Sequence, residues 1–294
     1  MTSTSTKLYI SLCALLCSFG LLFWPIFTKL VYDWGHDDNY SHGFLIVPLA
    51  AYLTWERRAR LSAIAPKPAG LGLVVVVGSV LVLLAGLLGA ELFLTRIAIV
   101  GAIVGGVLFV LGWRHLRVLA FPIGVLLLMI PIPAIIYYQI VFPLQLLASQ
   151  FGESTLNLAG IPVLREGNIL ILANTSLAVA EACSGIRSLI SLLTLGIVLG
   201  YFTDPRPAVR ILIALSTIPV AIIANGARVA GTGIAAHYYG PAAAEGFFHT
   251  FAGWLVFVVA FILLFVIMRI VLWVWPLAQP APRPSLPLVT QESE

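Results

Sequence analysis

Residues 70–89 read GLGLVVVVGSVLVLLAGLLG, a run of twenty residues without one charged side chain. A helix needs about 20 consecutive apolar residues to cross the hydrocarbon core of a bilayer. No water is available there, so the backbone must satisfy its own hydrogen bonds, and a helix does this within one segment. The run therefore predicts a transmembrane helix, and similar runs recur on both sides of it.

The composition of the whole chain agrees with a membrane protein. Of the 294 residues, 61% are hydrophobic and 10% are charged, and the mean hydropathy is +1.06. A soluble domain has roughly 25% charged residues. Three cysteines give no disulfide framework, and nothing in the composition indicates a nucleic-acid partner. We expect one domain over residues 1–275 and a disordered, Pro-rich cytoplasmic tail over residues 276–294.

The apolar runs predict an all-α polytopic membrane protein, a bundle of about eight transmembrane helices. The second run is short, but if it did not cross, the basic cluster from Arg57 to Lys67 would share a side with Asp33, Asp37 and Asp38. The expected helices cover residues 8–29, 41–55, 70–89, 95–113, 117–135, 184–202, 209–235 and 248–273.

The distribution of charge gives the orientation. With a cytoplasmic N-terminus, eleven of the sixteen Lys and Arg residues fall in inner loops or tails, and eight of the twelve acidic residues fall outside. Cytoplasmic loops carry an excess of Lys and Arg in membrane proteins. The pattern predicts that both termini are cytoplasmic.

One outer segment, from residue 136 to Cys183, is long enough to hold structure of its own. Residues 137–151 are apolar with paired aromatics, which suits an interfacial helix. A turn-rich piece, Gly160–Gly167, follows. Residues 168–173 and 176–181 then flank Asn174-Thr175, a pattern typical of a short extracytoplasmic hairpin. An irregular loop is the alternative.

Three residues from separate segments are placed by this topology at the outer face: Cys183, Arg228 and His249. Arg228 lies about 27 Å along the seventh helix from Arg210. An arginine within a span costs about 2.5–3.5 kcal/mol and needs a partner or a watery cavity. Simpler interpretations stay open: a buried cysteine, an arginine paired with Glu181 or Glu245 or reaching the headgroups, and an interfacial or capping histidine.

Together the three groups are sufficient for acyl transfer. A thiolate is the nucleophile, and it needs access and nearby positive charge. His249 would take the proton from Cys183 and return it to the leaving amine. Arg228 would stabilise the developing oxyanion. Secondary candidates are Arg187, which would lower the thiol pKa or bind a substrate carboxylate, together with Glu181 and Asn225.

Three blocks around these residues resemble the exosortases, a bacterial membrane family: EACSGIRS (181–188), NGAR (225–228) and HTFAG (249–253). DNYSHGF (38–44) resembles the family's N-terminal block, and Gly160–Gly167 its outer loop. The resemblance covers the chain to about Trp273. It implies a Cys–Arg–His set at Cys183, Arg228 and His249, with no cofactor.

The resemblance also implies a substrate and a location. The substrate would be an exported protein whose C-terminal sorting signal joins a Pro-Glu-Pro-like motif, a transmembrane helix and a basic cluster. Cleavage would occur at the periplasmic face of the bacterial inner membrane, with transfer to a surface acceptor. Neither the acceptor nor the oligomeric state follows from the sequence.

Other interpretations remain. A transporter or export component predicts polar residues through the bilayer midplane, which is nearly free of charge here. A metal site would use His36, His42, Asp33, Asp37 and Asp38, although their spacing matches no zinc motif. His237 is the alternative base if His249 is not the one.

Overall fold

The structure is a computed structural model that describes the backbone of residues 3–173, 175–179, 185–240 and 246–276, and their side chains except those of residues 3–16 and 246–252. The expected tail beyond residue 276 lies outside these ranges. The helices are α1 (Ser3–His36), α2 (Gly43–Glu56), α3 (Arg58–Ser62), α4 (Leu71–Leu88), α5 (Leu92–Val110), α6 (Trp113–Val125), α7 (Ala134–Leu158), α8 (Ile186–Thr203), α9 (Pro207–Tyr239) and α10 (Gly246–Val274), with a 3-10 turn at Leu126–Met129 and strands β1 (Val163–Glu166), β2 (Ile169–Leu172) and β3 (Ser176–Ala178).

The predicted fold class is confirmed: the chain is a helical, multi-pass membrane protein. In the described ranges, six helices are long and apolar enough to cross a bilayer, namely α4, α5, α7, α8, α9 and residues 253–274 of α10. The short α2 is apolar as well. We call the end of the bundle that carries the three strands the sheet end, and the other the opposite end.

The predicted span over residues 117–135 is wrong as a single helix. Helix α6 ends at Val125, the 3-10 turn ends at Met129, and residues 130–133 are not helical. The physical reason is Pro131 and Pro133: each lacks a backbone N–H and disfavours a helical conformation for the residue before it. The segment still reaches the sheet end, where the carbonyl of Met129 accepts a hydrogen bond from Trp34 Nε1 at 2.9 Å.

Helix α7 corresponds to the predicted interfacial helix but is longer, 25 residues against the expected 15. Both of its ends lie at the sheet end. Near its start, the Tyr137 hydroxyl accepts a hydrogen bond from Asn39 Nδ2 at 3.3 Å. Near its finish, Leu156 packs against Gly233 in the last third of α9. Helix α7 has the length and composition of a spanning helix, and Phe151 and Leu156 pack along α9 at Gly226 and Gly233, so its interfacial position stays a prediction.

The predicted hairpin is present, and a third strand joins it. Strands β2 and β3 pair antiparallel around residues 173–175, and β1 pairs antiparallel with β2 from Val163↔Leu172 to Glu166↔Ile169. We expected only turns over Gly160–Gly167, so β1 is a correction. Its alternation of half-buried and exposed side chains is the period of a strand that covers a core on one face.

Two halves pack around separate cores. The N-terminal half, residues 3–129, buries the large side chains of α1, α2, α5 and α6. The C-terminal half, residues 134–276, buries α8, α9 and α10 together and packs α7 and the sheet onto α9. Ile190 and Tyr201 of α8 pack against the N-terminal core and so join the halves.

Candidate active site

Helix α8 begins against α9 at Asn225. Gly185, the residue before α8, has φ +80°, a conformation that costs other residues about 1–2 kcal/mol. A Cβ built there would lie 2.7 Å from Cγ of Asn225. Only a glycine therefore allows this approach, and Asn225 itself is buried. The predicted secondary residue Asn225 is thus in contact with the cysteine block.

Arg228 connects the same helix to α10. It is three residues after Asn225, so the two share one face of α9. A Cβ built at Gly253 would lie 3.3 Å from both Cζ and Nη2 of Arg228. The guanidinium therefore rests on the backbone of α10, and the glycine of the histidine block provides the room for it.

The predicted base is close to this contact along the chain. His249 is part of α10 and precedes Gly253 by four residues, about 6 Å along the axis and on the same helical face. His237, the alternative, follows Arg228 by nine residues, about 13.5 Å farther along α9. Its ring packs edge-on against Tyr238 with the centroids 4.9 Å apart. The helical positions therefore favour His249.

The predicted nucleophile, Cys183, and the secondary residue Glu181 lie outside the described residues, as does the side chain of His249. Hydrogen bonds hold Val179, the last described residue before this segment. Val179 exchanges hydrogen bonds with Asn168: its N–H donates to the Asn168 carbonyl at 2.8 Å, and its carbonyl accepts from Asn168 Nδ2 at 3.1 Å. Gly185 follows Cys183 by two residues, so their Cα atoms can be at most about 7 Å apart.

Arg187 has a different partner from those we expected. Its Nη2 is 3.1 Å from Oδ2 of Asp38, in the loop between α1 and α2. The side chains are 48% and 78% exposed, so this is a surface ion pair worth at most about 1 kcal/mol. The pair joins the cysteine block to the DNYSHGF block, a link that sequence spacing does not reveal.

A cavity of about 420 Å³ opens beside these elements at the sheet end. Its lining includes Asn39, Tyr40, Arg96, Pro131 and Tyr137. Tyr137 also packs against Ile186 in the first turn of α8. The cavity is therefore adjacent to the first turn of α8, and sequence reasoning missed it because three distant pieces of chain form its wall.

The acidic and histidine residues of the proposed metal site are used otherwise. Asp33 pairs with Lys29 at 2.7 Å and with the buried Arg96, and Asp37 accepts from the N–H of Asn39 at 2.9 Å. His42 Nε2 is 3.1 Å from the carbonyl of Leu128. Within the described ranges, no three His, Cys, Asp or Glu side chains come together as ligands. The arrangement does not support the metal alternative.

The comparisons with known proteins agree with this architecture. A family model described as transmembrane exosortase matches residues 34–266, about four-fifths of the chain. The chain belongs to the transmembrane exosortase family. The match includes all three blocks that carry Cys183, Arg228 and His249. No curated protein matches this exosortase family member, and no solved structure does.

Proposed function

We propose that this exosortase family member is a membrane cysteine peptidase or transpeptidase that cleaves the C-terminal sorting signal of exported proteins, with Cys183, Arg228 and His249 as its catalytic residues. The observation that supports this most is the pair of contacts through α9: Gly185 against Asn225, and Arg228 against Gly253. They bring the cysteine, arginine and histidine blocks of three segments to one end of the bundle.

The proposed reaction forms a thioester. The Cys183 thiolate attacks the scissile carbonyl, and the resulting oxyanion is stabilised by Arg228. The C–N bond then breaks, and the leaving amine takes a proton from His249. Water or an acceptor nucleophile, deprotonated by His249, attacks the thioester, and the sulfur departs as thiolate. Hydrolysis leaves a free carboxylate on the substrate, and transfer leaves the acceptor attached.

Arg228 suits the oxyanion role because of its setting. It lies in an apolar helix and packs against Gly253 of a second apolar helix. Arg228 is half-buried, and fixed positive charge is worth more where water is partly excluded than in bulk solution. The site would face the periplasm, because the basic residues at the opposite end, among them Arg57 and Arg210, match a cytoplasmic surface.

A transport function has less support. The buried charged side chains of the described residues lie at helix ends or in the connections between helices: Arg57 after α2, Arg96 in α5, His115 in α6 and Asp204 between α8 and α9. A transporter instead gathers polar groups and broken helices at the midplane. The buried polar side chains within α4 and α8 are the hydroxyls of Ser79 and Thr194.

The test is co-expression with a candidate protein that carries a motif–helix–basic C-terminal signal, followed by mass analysis of its new C-terminus. We expect processing by the unaltered protein and none by Cys183→Ala. Cys17→Ala is the matched control, since Cys17 is an exposed cysteine on α1. Processing that survives Cys183→Ala would eliminate thiol catalysis. A free carboxylate on the product identifies a peptidase, and an added group identifies a transferase.

A further inference from the structure

The opposite end of the bundle gathers positive charge around one tyrosine. Arg57, which follows α2, has its Cζ 4.9 Å from the ring centroid of Tyr201, and Arg210, from the first turn of α9, has its Cζ 4.5 Å from the same centroid. Phe121 of α6 stacks on that ring at 3.8 Å. Four helices therefore hold two guanidinium groups against a single aromatic side chain near the end of α8.

The acidic neighbours of the two arginines, Glu56 and Asp204, form no salt bridge with Arg57 or Arg210 among the described residues. Arg57 is buried, and its Nη1 donates a hydrogen bond to the carbonyl of Leu53 in α2 at 2.6 Å. Arg210 donates from Nε to the backbone carbonyl of Asp204. The Asp204 carboxylate is itself engaged by Arg206, at 3.0 Å and 2.7 Å. Among the described residues, no carboxylate lies within ion-pairing distance of Arg57 or Arg210.

The surroundings match the headgroup region of a bilayer. Trp55, Tyr52 and Phe202 are each about half exposed beside the two arginines, and the Tyr52 and Phe202 rings are 6.4 Å apart. The Arg58 guanidinium lies 3.9 Å over the ring of Trp55. Aromatic side chains concentrate at the membrane–water interface, and basic pockets between helices at that depth bind anionic headgroups. A soluble anion would make no apolar contact with these exposed rings, whereas the acyl chains of a lipid would.

The position of the cluster gives an anion there a structural effect. Arg57 and Phe121 belong to the N-terminal half, whereas Tyr201 and Arg210 belong to the C-terminal half. An anion held by both arginines would connect the halves at the opposite end, as Arg187 and Asp38 do at the sheet end. It would also offset the repulsion between two positive charges that share one ring.

We propose that Arg57 and Arg210, placed by Tyr201, bind the phosphate group of an anionic membrane phospholipid that joins the two halves of the protein. The arginines bind the phosphodiester of the lipid, and the acyl chains of the same lipid lie along Tyr52 and Phe202. This site is separate from the proposed active site and does not depend on its chemistry.

The test uses the full-length protein in nanodiscs of phosphatidylcholine with or without phosphatidylglycerol. Native mass spectrometry measures retained phosphatidylglycerol, and a thermal melt measures stability. We expect retained lipid and a higher Tm with phosphatidylglycerol for the unaltered protein. A hydrogen bond to a charged group contributes about 1.5–3 kcal/mol, so the Arg57→Gln and Arg210→Gln variants should each bind this lipid roughly tenfold or more weakly.

The matched controls are Arg114→Gln and Arg117→Gln, exposed arginines of α6 at the same end of the bundle. They should retain the lipid and the Tm increase. Equal retention by the Arg57→Gln, Arg210→Gln and control variants would overturn the proposal. An equal Tm increase with inorganic phosphate in phosphatidylcholine discs would also overturn it, in favour of a free-phosphate site. If Arg57→Gln does not fold, Arg210→Gln alone gives the answer, because Arg210 is only half-buried.

Discussion

Arg96 and Arg228, one in each half of the protein, have different surroundings. In the N-terminal half, Arg96 is buried and paired with Asp33, which also pairs with Lys29. In the C-terminal half, Arg228 packs against Gly253 of α10, beside the cysteine and histidine blocks. A buried ion pair is costly to break, whereas an arginine beside a reactive segment can act on charge that develops there. The contrast separates a charge that holds the fold from one proposed to act in the reaction.

The largest expected effect is on the stability of the N-terminal half. Asp33→Asn removes the carboxylate from the buried Arg96, and breaking a buried pair costs about 3–5 kcal/mol. We expect the free energy of unfolding in detergent to fall by that amount. Glu153→Gln is the control, because its pair with Arg165 is 29% exposed on both sides and worth at most about 1 kcal/mol. Equal losses of stability from Asp33→Asn and Glu153→Gln would contradict the structural role assigned to the ion pair of Arg96.

Arg228→Gln should give the next largest effect, on activity rather than stability. Loss of one donor to an oxyanion lowers the rate by about 10²–10³-fold. We expect that loss in the rate of substrate processing, measured on protein whose melting temperature is unchanged. Arg165→Gln at the sheet end is the control and should process normally. A large drop in Tm with normal processing per folded molecule would make Arg228 structural.

Gly185→Ala should have a smaller effect on processing than Arg228→Gln but a clear one. Gly185 and Gly160 both have positive φ, +80° and +76°, but only Gly185 has a neighbour, Asn225, where a Cβ would go. Both substitutions carry the backbone cost of about 1–2 kcal/mol. Only Gly185→Ala should move the cysteine segment, so we expect a loss of processing of up to about a hundredfold. Equal activity of the two variants would show that this contact does not position the segment.

The smallest effect should come from the link between the halves at the sheet end. Asp38→Asn removes an exposed ion pair with Arg187, and such pairs contribute about 0–1 kcal/mol. We expect less than about a fivefold change in processing. Arg187→Gln should match it, and the double variant should add nothing. A much larger loss for Arg187→Gln alone would support the earlier hypothesis that Arg187 acts on the thiol or the substrate.

The sequence predicted the parts of the fold that depend on local patterns. Apolar length revealed the spans, and the polar break at Asn174-Thr175 revealed the hairpin between β2 and β3. Local patterns failed where two of them competed. The glycines at 160 and 167 suggested a turn, although the residues between them alternate as a strand, and Pro131 and Pro133 ended a helix within an apolar run.

The candidate site was predictable only in part. The blocks around Cys183, Arg228 and His249 were evident from the chain, and the topology placed them at one end. The contacts that join them were not, because Gly185 meets Asn225 and Gly253 meets Arg228 between different helices. The pairing of Arg187 with Asp38, 149 residues apart in sequence, was likewise beyond any local pattern.

The most direct measurement is the capture of the covalent intermediate. Substrate mixed with the protein and quenched in acid within one turnover should leave the N-terminal part of the substrate attached as a thioester. Mass spectrometry of the digest should locate it on Cys183, and hydroxylamine should release it. Cleaved substrate without any adduct on Cys183, or an adduct on another residue, would contradict the account.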